Sequence, residues 1–216
     1  TTIVIQSGWR TISNDLFDQL QFYKNKSNLS SDWILTFNES IGLEYKKYIS
    51  TKTLAIGNIS NNANSKDFSN KRLEDTILLI SQWVEGNFED NRILMLLFRF
   101  LKNYANKKDK KLGILLRKNN YNEKFFFESD PGENFHFIKK NNSKNSYHWI
   151  DKYETIVTVD STLGYESLSR GNKTIFFNIR SNYNQNKGYS FGWPNIFSKK
   201  GIIWTDENDI NYFEKI

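Results

Sequence analysis

Short apolar runs alternate with segments of helical periodicity along most of this chain. Runs rich in β-branched and aromatic residues predict strands, and apolar residues three and four positions apart predict helices. The predicted strands cover residues 3–5, 33–37, 53–56, 76–80, 112–116, 125–127, 135–138, 155–159, 173–177 and 201–204. The predicted helices cover residues 14–23, 39–49, 91–106 and 147–153, with another before Gly171 and a last one from near Asp206. This alternation is typical of parallel sheets with flanking crossover helices, so the sequence predicts an α/β, Rossmann-like fold.

One segment, residues 58–71, interrupts the alternation. It is rich in Asn and Ser and has no hydrophobic period, which is typical of a linker. A new series of strands begins after it. The sequence therefore predicts two domains, residues 1–60 and 72–216, joined by a linker at residues 61–71.

The polar turn after the apolar run 155–159 is the most informative stretch. Helix N-termini line the crevice beyond the strand ends of open α/β sheets, so this turn is a candidate phosphate site. Ser161 and Thr162 supply hydroxyls, and Gly164 allows close approach of the backbone. Glu166, about one turn into the helix, can accept hydrogen bonds from a ribose diol. An ordinary capped helix, with Glu166 favourable near its positive end, explains the same residues.

Composition narrows the class of protein. Hydrophobic residues make up 38% of the chain and aromatic residues 16%, enough for a core. The longest apolar stretch, residues 93–101, is interrupted by Arg99 and is shorter than the roughly 20 residues of a membrane helix. With no cysteine and two histidines, the chain offers no disulfide or zinc-thiolate site, and a metal centre is not expected.

Without a leader peptide, we expect a cytoplasmic location. A chain that opens on a strand without methionine suggests a fragment.

The formal charge of +6 favours anionic partners such as nucleotide phosphates or a phospholipid surface. The lysine runs at residues 107–111 and 139–140 are mixed with asparagine, however, and a solvated face explains them as well. They lack the aromatic spacing of an RNA-recognition sheet, so no nucleic-acid partner is expected. Dinucleotide-binding, P-loop and hydrolase-elbow motifs are all absent from the sequence.

Residues 160–171 (DSTLGYESLSRG), placed before a strand, resemble bacterial glycosyltransferase-like proteins of the GT-B fold. More closely, they resemble O-antigen and surface-carbohydrate biosynthesis proteins that carry DSTLGYESLxRG at this place. Residues 6–10 (QSGWR), 37–42 (FNESIG) and 80–83 (ISQW) also resemble that family. The resemblance covers nearly the whole chain, and the first motif is the most specific.

The resemblance implies two facing Rossmann-like domains, of which the C-terminal one binds a nucleotide-sugar donor. Residues 1–60 are then the last part of the N-terminal, acceptor-side domain, and residues 72–216 are the donor domain. The acceptor is a glycan or a lipid-linked glycan, and the catalytic base is unknown because it lies largely upstream of Thr1. No cofactor or metal is implied. The protein would act in the cytoplasm, with a peripheral contact to the inner face of the membrane left open.

In this interpretation Ser161, Thr162 and Gly164 meet the donor phosphates and Glu166 meets the ribose. Arg117 follows a strand at the same sheet edge, where related capsule transferases carry a basic residue or histidine near the phosphates.

Two further donor contacts are implied at the end of strand 76–80, Ser81 and Gln82. Ser81 and Gln82 can instead be ordinary loop residues, and Arg117 can instead be a solvated surface residue. Candidates for the cleft are His148, Gly8 and Arg10. A packed aromatic is the alternative for His148, and a surface salt bridge is the alternative for Arg10.

The sequence thus predicts a metal-independent GT-B glycosyltransferase for surface polysaccharide or O-antigen synthesis. One alternative is a nucleotide-sugar epimerase or hydrolase of the same fold. Another is a non-catalytic glycan-binding or assembly module, because a fold does not fix a function.

Overall fold

The computed structural model describes residues 1–8, 16–24, 28–64, 71–118, 120–132, 134–139, 145–177 and 204–205. The chain divides into two compact units. Of the described residues, those up to Asn64 belong to the first unit and those from Lys71 onward belong to the second. Each unit contains one parallel sheet.

The first unit is built on a sheet of three parallel strands in the order β1-β2-β3. The strands are β1 (Ile3–Ile5), β2 (Ser30–Thr36) and β3 (Ser50–Ala55). Its helices are α1 (Leu16–Tyr23), α2 (Glu39–Lys46) and α3 (Ile59–Ala63). Phe17 and Leu20 of α1 and Ile41 and Tyr45 of α2 pack around Ile34 of β2. These residues, which come from the central strand and the two amphipathic helices that cover it, form the hydrophobic core of this unit.

The other face of this sheet carries apolar residues that remain exposed. Neighbouring residues on a strand point to opposite faces, so Trp33 points away from the core residue Ile34. Trp33 is paired in register with Ile3, and both are exposed, as are Ile5 and Leu54. Parallel sheets usually bury both faces. In the described part of the first unit, helices pack only against the face of the sheet that carries Ile34.

The second unit is built on a sheet of six parallel strands in the order β6-β5-β4-β7-β8-β9, counted over the described residues. The strands are β4 (Leu73–Ile80), β5 (Lys111–Leu115), β6 (Phe135–Phe137), β7 (Tyr153–Thr158), β8 (Lys173–Phe177) and β9 (Trp204–Thr205). The helices are α4 (Phe88–Lys107), α5 (Tyr121–Glu128), α6 (Ser146–Lys152) and α7 (Thr162–Ser169). No helix in the described part of the chain is both long enough and apolar enough to cross a bilayer.

Strand β4 is hydrophobic on both faces and lies at the centre of this unit. Ile77 and Leu79 belong to one core cluster, together with buried residues of α4. Leu78 and Ile80 belong to another, together with Ile150 of α6. A strand at this position has to be apolar along its length, because helices cover the sheet on both sides.

The strand order places a topological switch point between β4 and β7. From β4 the chain adds β5 and β6 on one side, and it then returns to add β7, β8 and β9 on the other. This is the strand order of dinucleotide-binding Rossmann folds, whose ligands bind beyond the carboxyl ends of the strands at the switch point. In this chain that place is formed by the ends of β4 and β7.

One predicted strand is wrong, because residues 125–127 lie in helix α5. Asn120 caps this helix and accepts a hydrogen bond from the backbone N–H of Glu123 at 2.9 Å. Glu123 and Phe127, four positions apart, are fully buried, whereas Phe125 is exposed. Three consecutive phenylalanines imitate a buried strand, but their burial follows the period of a helix.

The first part of the predicted linker forms the short helix α3 with Asn58 as its N-cap, and residues 65–70 lie outside the described residues. The predicted helix from residue 39 ends at Lys46. Of the predicted strand 201–204, residues 201–203 lie outside the described residues and Trp204 begins β9. The predicted helix from near Asp206 lies outside the described residues. The assignment of acceptor-side and donor-side roles to the two parts of the chain stays a prediction.

Candidate functional site

Three neighbouring strands carry polar residues just beyond their carboxyl ends. Arg117 follows β5, Ser81 and Gln82 follow β4, and Ser161 follows β7 at the start of α7. Parallel strands place their carboxyl ends at one edge of the sheet, and β5, β4 and β7 are adjacent. The fold therefore places these sequence-predicted residues at one edge of the sheet, with Ser81, Gln82 and Ser161 at the switch point and Arg117 one strand away.

Ser161 is the N-cap of α7, as the capped-helix alternative requires. Its hydroxyl accepts a hydrogen bond from the backbone N–H of Leu163 at 3.3 Å, and its own N–H donates to the hydroxyl of Thr158 at 3.2 Å. Ser161 and Thr162 are only half-buried. The first turn of α7 thus presents two hydroxyl-bearing residues and the positive end of the helix dipole at the sheet edge, where an anion is favoured.

Gly164 has a packing role rather than a place facing a phosphate. A side-chain carbon at this position would lie 2.5 Å from Cγ2 of Thr158 and 2.9 Å from a ring carbon of Phe176. Its N–H donates to the carbonyl of Ser161 at 2.9 Å. Glycine is required here because α7 lies directly on β7 and β8.

Glu166 lies one turn into α7, with its carboxylate turned toward helix α6. It is 9% exposed, hydrogen-bonds with the hydroxyl of Tyr147 and lies near the charge of Arg170. Burial raises the pKa of Glu166, and the contacts with Tyr147 and Arg170 only partly oppose this rise. Burial and the Glu166 charge raise the pKa of Tyr147 as well, so Tyr147 stays protonated and can donate.

The raised pKa predicts how stability depends on pH at this position. The folded state holds the Glu166 proton to a higher pH than the unfolded state does. The wild type therefore loses stability as pH rises from the unfolded pKa, about 4.3, through the folded pKa. Glu166→Gln stays neutral and keeps an oxygen for Tyr147, so relative to wild type it should gain stability as pH rises above about 4. Urea unfolding across this range measures the change, and Glu128→Gln on the exposed end of α5 controls for net charge.

Gln82 is used for internal hydrogen bonds across the switch point. Its Oε1 accepts from the Thr158 hydroxyl at 3.0 Å, from the Val159 N–H at 3.0 Å and from the Asp160 N–H at 2.9 Å. Its Nε2 donates to Asp160 Oδ1. The amide therefore shapes the turn before α7.

Ser81 is likewise turned into the protein, toward a buried carboxylate that the sequence interpretation missed. Its hydroxyl donates to Glu123 Oε1 at 2.6 Å. Glu123 also accepts from the backbone N–H of Arg117 at 2.7 Å and from that of Lys118 at 2.8 Å. Glu123 thus fixes the loop that carries Arg117, whose side chain is exposed. The Asn-x-x-Glu spacing after Asn120, a capping-box signal, is the sequence feature that points to it.

The remaining cleft candidates are less informative. His148 lies on α6 with its ring edge-on to Trp149 at a centroid distance of 5.1 Å, as the packed-aromatic alternative predicts. Gly8 follows β1, and its carbonyl accepts from Gln6 Nε2 at 2.8 Å. Arg10 lies outside the described residues. Within the described ranges, no three His, Asp or Glu side chains come together as a metal site.

Comparison with known proteins decides the family. A family model with the description "putative O-antigen biosynthesis protein" matches residues 3–216. The chain belongs to this family. The predicted membership of an O-antigen and surface-carbohydrate family is confirmed. Among curated protein sequences, none matches the chain significantly.

Solved structures of the wall teichoic acid polymerase TagF have a similar fold. One TagF variant matches with a TM-score of 0.50 and 14% identity over 97% of this chain and 54% of that chain. A variant soaked with CDPG for 15 minutes matches with a TM-score of 0.51 and 14% identity over 98% and 55%. This chain therefore spans about half the length of TagF. At this identity the likeness shows the fold, and it confirms the predicted α/β, GT-B-type class.

Proposed function

We propose that this chain carries the donor-binding part of a glycosyltransferase that uses a nucleotide-sugar in surface polysaccharide or O-antigen biosynthesis. The acceptor in this proposal is a glycan or a lipid-linked glycan. The observation that carries the proposal is that the α7 N-terminus and Arg117 follow β7 and β5, the strands on either side of β4, at the same edge of a six-stranded Rossmann-like sheet. The family match and the glycosyltransferase-like fold support the same class of reaction.

The proposed site binds the two phosphates of the donor. The first turn of α7 offers the positive end of the helix dipole and the Ser161 and Thr162 hydroxyls, and Arg117 offers a guanidinium that can contact two phosphate oxygens. When the sugar is transferred, an acceptor hydroxyl bonds to its anomeric carbon and gives its proton to a base. The bond between that carbon and the phosphate oxygen breaks, and a nucleoside diphosphate leaves. Positive groups held at that phosphate stabilise the charge that develops on it.

The remaining predicted donor residues support the site in different ways. Ser81 and Gln82 hold the loops that carry Arg117 and Ser161, through the hydrogen bonds described above. Gly164 sets the height of α7 above the sheet. Glu166 is proposed to meet the ribose, with Tyr147 and Arg170 orienting its carboxylate. The TagF structures soaked with CDPG support a nucleotide-linked ligand for this fold.

Arg117→Ala tests the phosphate site directly. Loss of a charge-assisted contact should weaken binding of CDP, UDP or GDP by about 10- to 100-fold, measured by calorimetric titration. Lys118→Ala is the matched control, because it removes the same charge from the next exposed residue and should change affinity less than about threefold. Equal losses of affinity in both variants would show that nucleotides are attracted by net charge alone. A wild-type protein that binds no nucleotide contradicts the proposal.

Turnover assays separate the proposed reaction from its alternatives. Transfer that requires an acceptor and survives EDTA supports a metal-independent glycosyltransferase. Conversion of a nucleotide-sugar without an acceptor would indicate an epimerase or hydrolase. Affinity for polysaccharide with none for nucleotides would indicate a glycan-binding module.

A further inference from the structure

We propose that Gln82 is a positioning residue: its side-chain amide holds the turn of residues 158–162, here called the donor turn, in the conformation that binds the nucleotide. The inference rests on the proposed function and assigns Gln82 a role without donor contact. It differs from the sequence interpretation, in which Gln82 touches the donor itself.

The backbone explains why a side chain is needed at this place. Register pairing between β4 and β7 ends at Leu79 and Val157. Beyond that pair, the chain leaves β4 toward α4 and leaves β7 toward α7, so the two strand ends separate at the switch point. Gln82 spans this gap and replaces the missing backbone pairing by accepting from the N–H groups of Val159 and Asp160.

The orientation of the amide is fixed by both of its ends. Three donors surround Oε1, and Nε2 faces the carboxylate of Asp160. Rotating the amide by half a turn would place its NH₂ against those donors and its oxygen against the carboxylate. The site requires an acceptor toward the backbone and a donor toward Asp160. Glutamine is the side chain of this shape that supplies both.

The same arrangement recurs in the first unit, in an independent part of the chain. Residues 36–44 (TFNESIGLE) align without gaps with residues 158–166 (TVDSTLGYE), and each stretch runs from a strand end into a helix. In the first unit Gln6 Oε1 accepts from the N–H of Phe37 at 2.9 Å, and Phe37 takes the place of Val159. A glutamine that clamps the turn is therefore part of how this chain builds a strand-turn-helix.

The first-unit copy repeats two further details. Gly42, aligned with Gly164, lies against threonine side chains of its sheet. Glu44, aligned with Glu166, is buried and accepts from the hydroxyl of Tyr48 at 3.2 Å. The first-unit turn thus provides a matched control for any change made at Gln82.

A reversal of hydrogen-bond polarity tests the inference. Gln82→Glu keeps the shape and the acceptor but sets a second carboxylate against Asp160. The double variant Gln82→Glu with Asp160→Asn restores complementarity, because the introduced asparagine amide can donate to the introduced carboxylate. Asp160→Asn alone should bind nucleotide at least as tightly as wild type, because its side-chain oxygen still accepts from Gln82 and a negative charge beside the proposed phosphate site is removed.

Two measurements are made on the full chain of each variant. Nucleoside diphosphate affinity is measured by calorimetric titration, and amide hydrogen exchange is measured at residues 159 and 160. We expect Gln82→Glu to lower affinity and exchange protection by roughly tenfold or more, and the double variant to recover both to within about threefold. Gln6→Glu should loosen the first-unit turn and leave nucleotide affinity unchanged.

The outcomes separate this inference from the proposed function. If the wild type binds nucleotide and the double variant stays as weak as Gln82→Glu, Gln82 contacts the donor and the positioning role is wrong. The role is also wrong if exchange protection falls in Gln82→Glu while affinity does not, or if Asp160→Asn alone is as weak as Gln82→Glu. Absence of nucleotide binding in the wild type would overturn the proposed function itself, whereas the exchange data would still report whether the clamp exists.

Discussion

Glu123→Ala is expected to lower the free energy of unfolding by about 3 kcal/mol. The carboxylate is fully buried and accepts hydrogen bonds from the Ser81 hydroxyl and from the N–H groups of Arg117 and Lys118. Alanine leaves these donors without the acceptor, and each unsatisfied buried donor costs roughly 1–3 kcal/mol. Partial access of water to the loop after β5 keeps the total below the sum of three such losses.

Urea or thermal unfolding measures this loss, and Glu128→Ala is the matched control. Glu128 lies on the same helix, α5, but is exposed, so its truncation should change stability by less than about 0.5 kcal/mol. We also expect Glu123→Ala to weaken nucleotide binding, because the loop that carries Arg117 loses its anchor. Equal stability of the two variants would show that the loop does not depend on Glu123.

Gly164→Ala is expected to destabilise the fold by about 2 kcal/mol, although alanine is the better helix former. The added methyl group would lie 2.5 Å from Thr158 Cγ2 and 2.9 Å from a ring carbon of Phe176. Overpacking of a core typically costs 1–3 kcal/mol or slightly more, whereas helix propensity returns about 1 kcal/mol. The steric term is larger because both neighbours lie in the sheet, so α7 has to move outward.

A second substitution identifies the clash. Thr158→Ser removes Cγ2 and keeps the hydroxyl that donates to Gln82, so in the Gly164→Ala background it should recover about half of the lost stability. Gly8→Ala, where no atom lies within 4 Å of the added carbon, should change stability by less than about 0.5 kcal/mol. Failure of Thr158→Ser to recover any stability would mean that Gly164 matters for another reason.

The two turns of this chain, in residues 36–44 and 158–166, show how one local design can serve both units. Each combines a strand end, a clamping glutamine from a neighbouring strand, a glycine against the sheet and a buried glutamate. Only the second lies at a switch point in the described residues. The difference in sheet position, rather than in the turn itself, is what makes the second turn the candidate donor site.

Local patterns were sufficient for most of the fold. The run around β4, the helix α4 and the strand-turn-helix of β7 and α7 were predictable because burial on one or both faces leaves its period in the sequence. The pattern failed at residues 125–127, where three aromatic residues suited a strand as well as a helix. The helix is decided by Asn120 at its start and by the packing of Phe127 against Phe98 at a centroid distance of 5.2 Å.

The sequence by itself determined the α/β class, the family resemblance and the turn that is the candidate phosphate site. Only the tertiary structure decided which polar residues near that turn are used internally and which face outward. Gln82 and Asp160 are 78 positions apart, and Ser81 and Glu123 are 42 apart, so no local pattern pairs them. Their partners are set by which parallel strands become neighbours, and that is fixed by the packing of helices on both faces of the sheet.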